Sequence, residues 1–293
     1  MLISSFWGFW ENVNQSFIYY ALIAGLMIAV AAPLLGSVII VRRMSFVADT
    51  ISHFSLAGAA FGAFLGGVLS TSKVFDKVPT VILTIGFSLI GTVLVELVRN
   101  LYKNYKELSM PIVLSLGTAL AAVFFSKVRG ASGNIVRNFM FGSVFQLEKM
   151  DVIYLAISFV LLIVFFTIFR KEVITISFDE EFAKFSNKKY WTFQIIFTVL
   201  LSIFISVSMK AVGILLISSL VIIPVSSSIF IGKSFKDTII KSIVISILSL
   251  LLGFTLSYPL NVTGGPVIVL VNILFYIIIA IYKKISLLRK NKN

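Results

Sequence analysis

The chain reads as an all-α polytopic membrane protein with about nine transmembrane helices, and three observations lead there: its composition, its series of long apolar stretches and the placement of its basic residues. Of 293 residues, 59% are apolar and only 13% charged. The mean hydropathy is +1.06, well beyond that of a water-soluble domain. Apolar stretches fall near 17–41, 47–69, 79–98, 108–128, 151–169, 190–208, 211–231, 238–257 and 266–282. At about 1.5 Å of rise per residue, these lengths suit a hydrocarbon layer of roughly 30 Å. Only Met209 and Lys210 separate the sixth stretch from the seventh, so the seventh also reads as a broken segment, giving eight to ten spans.

Eighteen of the 25 Lys and Arg residues fall in one set of alternate loops, among them Arg42, Arg43, Arg99, Lys184 and Lys284. The other set, which includes Lys73, Lys149 and Lys210, holds seven. Basic loops are retained in the cytoplasm, so the N-terminus is expected outside and the C-terminus inside. The net charge of +13 follows from this topology and does not call for a nucleic-acid partner. The N-terminal MLISSFWGFWENVNQSF lacks a basic n-region and a small-residue cleavage site, and its aromatics suit a bilayer interface, so it reads as retained.

With no cysteine, the chain has no disulfide, thiolate metal site or cysteine nucleophile, and any metal must be held by Asp, Glu, His, Asn or backbone oxygen. No soluble insertion or internal repeat interrupts the pattern, and residues 1–293 read as one transmembrane domain. There is no G-x-x-x-x-G-K-[ST], so a P-loop ATPase would have to be a separate chain.

The second stretch, SFVADTISHFSLAGAAFGAFLGGVL, places Asp49 and His53 at i and i+4, on one helical face. With Ser45 as cap, His53 lies about 12 Å along the axis, where an isolated polar ring in lipid is costly, so it is expected to face protein or water. Gly58, Gly62 and Gly66 project to nearly the opposite side and form a packing face. A carboxylate and an imidazole one turn apart can bind a divalent ion, and two copies across a two-fold axis would supply four ligands for a transient zinc. The structural alternative is an Asp49 favoured by the helix N-terminus or paired with Arg42 or Arg43, beside a His53 that hydrogen-bonds a neighbour.

The second informative segment is ITISFDEEFAKFSNKKYW, the longest cytoplasmic interruption. Ser177 and Glu180 suit a capping box, Asp179 and Glu181 favour the positive helix end, and Phe178, Phe182 and Phe185 recur at i, i+4 and i+7. The pattern predicts a short amphipathic helix over 177–187 whose apolar stripe lies on lipid headgroups or in a groove of a second protein. Elsewhere, Glu96 reads as a helix-pairing residue, Pro224 as a kink, Lys210 as a helix break or a snorkelling side chain, and Gly264, Gly265 and Pro266 as an external turn.

These residues resemble the membrane permeases of zinc and manganese ABC importers, which work with a metal-binding lipoprotein or periplasmic protein. The similarity is closest over VIIVRRMSFVADTISHFSLAGAAFG, residues 38–62, and continues in order through NFMFGSVFQLEKMDV, SFDEEFAKFSN, KAVGILLISSLVIIPVSS and TGGPVIVLVNILF. The chain departs from that pattern at Ala57, where a proline is frequent, and around Ser186 and Asn187, where a glycine is usual. The resemblance implies a multi-pass cell-membrane protein that works as a homodimer, with Asp49 and His53 as pathway metal ligands. It also implies a coupling segment containing Phe178, Asp179, Glu180, Glu181, Phe182, Ala183 and Phe185 that docks on a separate ATP-binding cassette subunit.

The expected function is therefore import of a divalent metal, zinc before manganese, delivered by an extracytoplasmic metal-binding protein. ATP is expected only on the partner subunit, and no permanently bound cofactor is implied. A proton-coupled secondary metal transporter using Asp49 and His53 as a relay is the alternative. An intramembrane metalloenzyme is disfavoured, because one histidine and one nearby acid cannot provide a closed ligand set and a separate base, and there is no H-E-x-x-H.

Overall fold

Among the described residues the long apolar stretches form nine helices of 18 to 27 residues, about 27 to 40 Å each, which suits a bilayer. The computed structural model describes residues 16–68, 80–102, 105–128, 139–140, 142, 147–186, 190–260 and 262–290. The N-terminal aromatic segment, Lys73, most of NFMFGSVFQ and Asn187 lie outside the described residues. No strand occurs among the described residues.

In chain order the elements are α1 (Ser16–Val41), α2 (Val47–Val68), α3 (Thr80–Leu101), a 3₁₀ turn (Lys106–Leu108) leading into α4 (Ser109–Lys127), and α5 (Lys149–Ile168). Two short helices follow, α6 (Arg170–Phe178) and α7 (Glu180–Ser186), and then α8 (Tyr190–Val212), α9 (Ile214–Ile231), α10 (Phe235–Leu260) and α11 (Gly264–Lys290). Eight of the nine long helices are apolar enough to count as membrane spans, and α2 is the exception. It carries Asp49, His53 and many small residues, and it is enclosed by α3, α4, α8 and α9 rather than turned to lipid. A second group, α1, α9, α10 and α11, packs beside this one, and α5 and α8 connect the two.

The break after the sixth long helix falls at Gly213, three residues beyond Lys210. Gly213 has a φ of +83°, a conformation that side-chain-bearing residues rarely adopt. Tyr190 at the start of α8 and Phe235 just beyond α9 both meet the α6–α7 segment, so the chain doubles back at this glycine and α9 is a complete helix. Lys210 neither breaks its helix nor snorkels away. It lies in the last turn of α8, where Nζ donates to Asp151 Oδ1 at 2.7 Å and ties α8 to α5.

Other local expectations need correction. Gly264, Gly265 and Pro266 form the first turn of α11, not a turn before it, because the first helical N–H groups need no partner within the helix and proline is tolerated there. The described part of the segment, 177–186, falls in two helices, not one. Ser177 lies inside α6 and its hydroxyl donates to the Val173 carbonyl, so it cannot cap the next helix. Asp179 breaks the chain and caps α7, its Oδ1 accepting from the Phe182 N–H at 2.8 Å, as a short acidic side chain does at a helix start.

Candidate functional site

The face that α2 turns to its neighbours is fixed residue by residue. The Thr50 hydroxyl donates to the Met110 carbonyl on α4 at 3.2 Å, and the Ser55 hydroxyl to the Thr84 carbonyl on α3 at 3.4 Å. Between them the Phe54 ring, fully buried, fills a slot bounded by Gly91 and Gly117, where an added Cβ would lie 2.5 and 2.7 Å from ring atoms. Gly58 touches the Leu83 carbonyl so closely that a Cβ would stand 2.6 Å from its oxygen. The glycine face therefore packs against α3.

This anchoring leaves Asp49 and His53 on the face turned to α9. Ser218 of α9 lies beside the Asp49 carboxylate, its hydroxyl donating to the Ile214 and Leu215 carbonyls, and Asp49 interacts electrostatically with His53. His53 is half-buried, and its Nδ1 has no hydrogen-bond partner. Arg42, one of the cations that could have neutralised Asp49, instead pairs with Glu180. Among the described residues no ion pair involves Asp49, and no three His, Cys, Asp or Glu side chains gather as a metal site. A carboxylate and an imidazole are residue types able to ligate a divalent ion.

The second predicted segment lies where α1 and α3 end and α8 begins. Phe178, Phe182 and Phe185 are 64%, 58% and 93% exposed, and Asp179 and Glu181 are also exposed. Glu180 and Ala183 turn inward, and Ala183 is completely buried. Glu180 accepts from Arg99 Nη2 at 2.7 Å and from the Tyr190 hydroxyl at 3.0 Å, with Lys184 at 3.2 Å and Arg42 at 3.7 Å. Burial by itself pushes the Glu180 carboxyl up, but the charges of Arg42, Arg99 and Lys184 outweigh it and hold the group at about 2. Arg42 immediately follows α1 and opens the turn 42–46 that leads into α2, so Glu180 joins α7 to the turn before the helix that carries Asp49 and His53.

Glu96 pairs helices as its position suggested, accepting from Gln194 of α8 and lying 3.8 Å from Arg99. Sequence reasoning missed Ser218, the Phe54 slot and the inward role of Glu180. Gly91 and Gly117, isolated in apolar helices, were the available signal for the slot.

Among the described residues nine long helices, one of them carrying the half-buried Asp49 and His53, make up a multi-pass membrane protein. The chain belongs to the ABC 3 transport family, whose model matches residues 14–283. It is 30% identical over 270 residues to the high-affinity zinc uptake system membrane protein ZnuB of Buchnera aphidicola subsp. Schizaphis graminum, covering 92% of this chain and 98% of that protein. It is 26% identical to the manganese import system permease protein ScaB of Streptococcus gordonii, covering 89% and 90%. Among solved structures, PsaBC from Streptococcus pneumoniae in complex with Fab matches with a TM-score of 0.77 and 25% identity over 93% of this chain and 94% of that one. The plasma membrane is the location this membership gives.

Proposed function

We propose that this chain forms the translocation pathway of an ATP-driven importer for a divalent metal ion, zinc before manganese, and works as a homodimer with its N-terminus outside. An extracytoplasmic binding protein delivers the ion, and Asp49 and His53 of both copies hold it transiently. The observation that carries this reading is the Asp49–His53 pair: two hard-to-bury groups on one face, one with an unpartnered nitrogen, in the one long helix not apolar enough to count as a span. Two ligands per chain fit a site completed by a second copy, and incomplete coordination suits an ion that must leave again.

The exposed phenylalanine stripe of 177–187 supports docking on a separate ATP-binding subunit, because three large apolar side chains at this end lack burial. Glu180 would transmit the displacement of that stripe to the start of α2. Zinc ranks first because the wording ADTISHFSLAGAAFG, residues 48–62, is nearer to the zinc-transporting branch that the sequence resembles.

The test is uptake into liposomes that hold the chain with its ATP-binding and metal-delivering partners, comparing zinc with manganese. ATP-dependent uptake of one ion, abolished by Asp49→Ala with His53→Ala at unchanged protein level, is the expected result. Uptake that persists without the ATPase and follows the proton gradient would replace this reading with a secondary transporter.

A further inference from the structure

Beside α7 the turn 42–46, the end of α3, the 3₁₀ turn and α6 enclose a cavity of about 520 Å³. Arg42, Arg43, Arg99 and Lys106 line it against only two acids, Glu107 and Glu180. The Arg42 side chain is 1% exposed, and its Nε, Nη1 and Nη2 have no hydrogen-bond partner. Glu180, 3.7 Å away, accepts its hydrogen bonds from Arg99 and Tyr190. A buried guanidinium with its fork of N–H donors unused is a costly arrangement, and an oxyanion with several acceptors relieves it.

We propose that this cavity binds the phosphate of an anionic lipid headgroup. The chemistry is that of a phosphate oxyanion meeting arginine forks, which match it in a bidentate manner. The location favours a lipid over free phosphate. The cavity borders the ends of two membrane spans, α1 and α3, where headgroups lie. Its rim carries exposed Tyr105 and Leu108, an aromatic and an aliphatic side chain suited to the boundary between headgroup and acyl chain. Arg43 and Lys106 extend the basic surface from Arg42 towards that rim and form no ion pair among those of the described residues. This assignment holds whichever side of the membrane the cavity faces and does not depend on the transported ion.

The experiment is native mass spectrometry of the full chain in detergent, titrated with phosphatidylglycerol, with phosphatidylcholine and with inorganic phosphate. Phosphatidylglycerol is expected to be retained over phosphatidylcholine, and Arg43→Glu with Lys106→Glu to weaken retention at least about tenfold. Lys283→Glu with Lys284→Glu, the same charge change on α11 outside the cavity, is expected to change it less than about twofold. Equal retention of the two lipids, equal losses in both double variants, or displacement of phosphatidylglycerol by inorganic phosphate at millimolar concentration would overturn the lipid assignment. So would loss of ATPase copurification in Arg43→Glu with Lys106→Glu at unchanged lipid retention, which would assign the cavity to a protein partner.

Discussion

The Glu180 carboxylate and the Arg99 guanidinium meet at 2.7 Å and join the short helix α7 to the end of α3. Arg42 approaches the same carboxylate at 3.7 Å, so one acid compensates two nearly buried arginines. Replacing it by Gln leaves Arg42 without an ion-pair partner and Arg99 with only Glu96, at 3.8 Å. The expected loss is about 3 kcal/mol, in the range for removing one partner of a buried pair. Thermal unfolding of purified Glu180→Gln should show it, and Arg99→Met in the Glu180→Gln background should add less than it does alone.

The same pair fixes a pH dependence. The folded Glu180 carboxyl is held at about 2, below its ordinary 4.5, so its contribution is complete above pH 4.5 and is lost as the pH falls towards 2. Between pH 5 and pH 3 the unfolding midpoint of the native chain should fall more steeply than that of Glu180→Gln. Parallel profiles would show that the arginines are compensated elsewhere.

The spans were legible because membrane crossing imposes a length and an apolar composition that few other demands imitate. Eight helices announced themselves in this way, and α2 was legible by its Asp49 and His53 instead. The candidate pair was readable from an i, i+4 spacing, but Ser218 was not, since it lies 165 positions beyond His53 and only the fold brings α9 to that face. Local patterns misled at Ser177, where a capping box competes with a helix already running through it. There tertiary pairing of Glu180 with Arg42 and Arg99 decided the outcome. The turn at Gly213 was displaced because Lys210, which reads as a break, stays within α8 and is neutralised by Asp151 of α5.

Phe54 sets the rotation of α2, and with it the direction of the neighbouring His53. Gly91→Leu or Gly117→Leu fills the slot and forces the ring out. Either change should abolish metal uptake, since both glycines meet the Phe54 ring. Phe54→Ala should destabilise the chain by about 3 to 5 kcal/mol through the cavity it leaves. Normal uptake in Gly117→Leu would mean that α2 is positioned by Thr50 and Ser55 alone.

If two copies share one ion, the purified chain should bind one zinc per two protomers, and His53→Gln should lower affinity without changing that ratio. Equilibrium dialysis against buffered zinc measures both. One ion per protomer would show that each chain completes its own site with weaker ligands such as Ser218, and would remove the argument for a shared centre.

The exposed stripe allows the docking proposal to be separated from the metal site. Phe182 is 58% exposed and its N–H bonds Asp179, so an Asp at this position leaves α7 intact and places a charge where an apolar contact is proposed. In liposomes holding the full importer, Phe182→Asp should leave zinc binding to the permease unchanged. It should also weaken copurification of the ATPase and cut ATP-driven uptake by about tenfold or more, the loss of one buried aromatic anchor. Phe182→Leu keeps an apolar side chain and should retain most of the uptake. Full uptake in Phe182→Asp would mean that the stripe lies on the membrane surface instead, where one charge among three aromatics is tolerated.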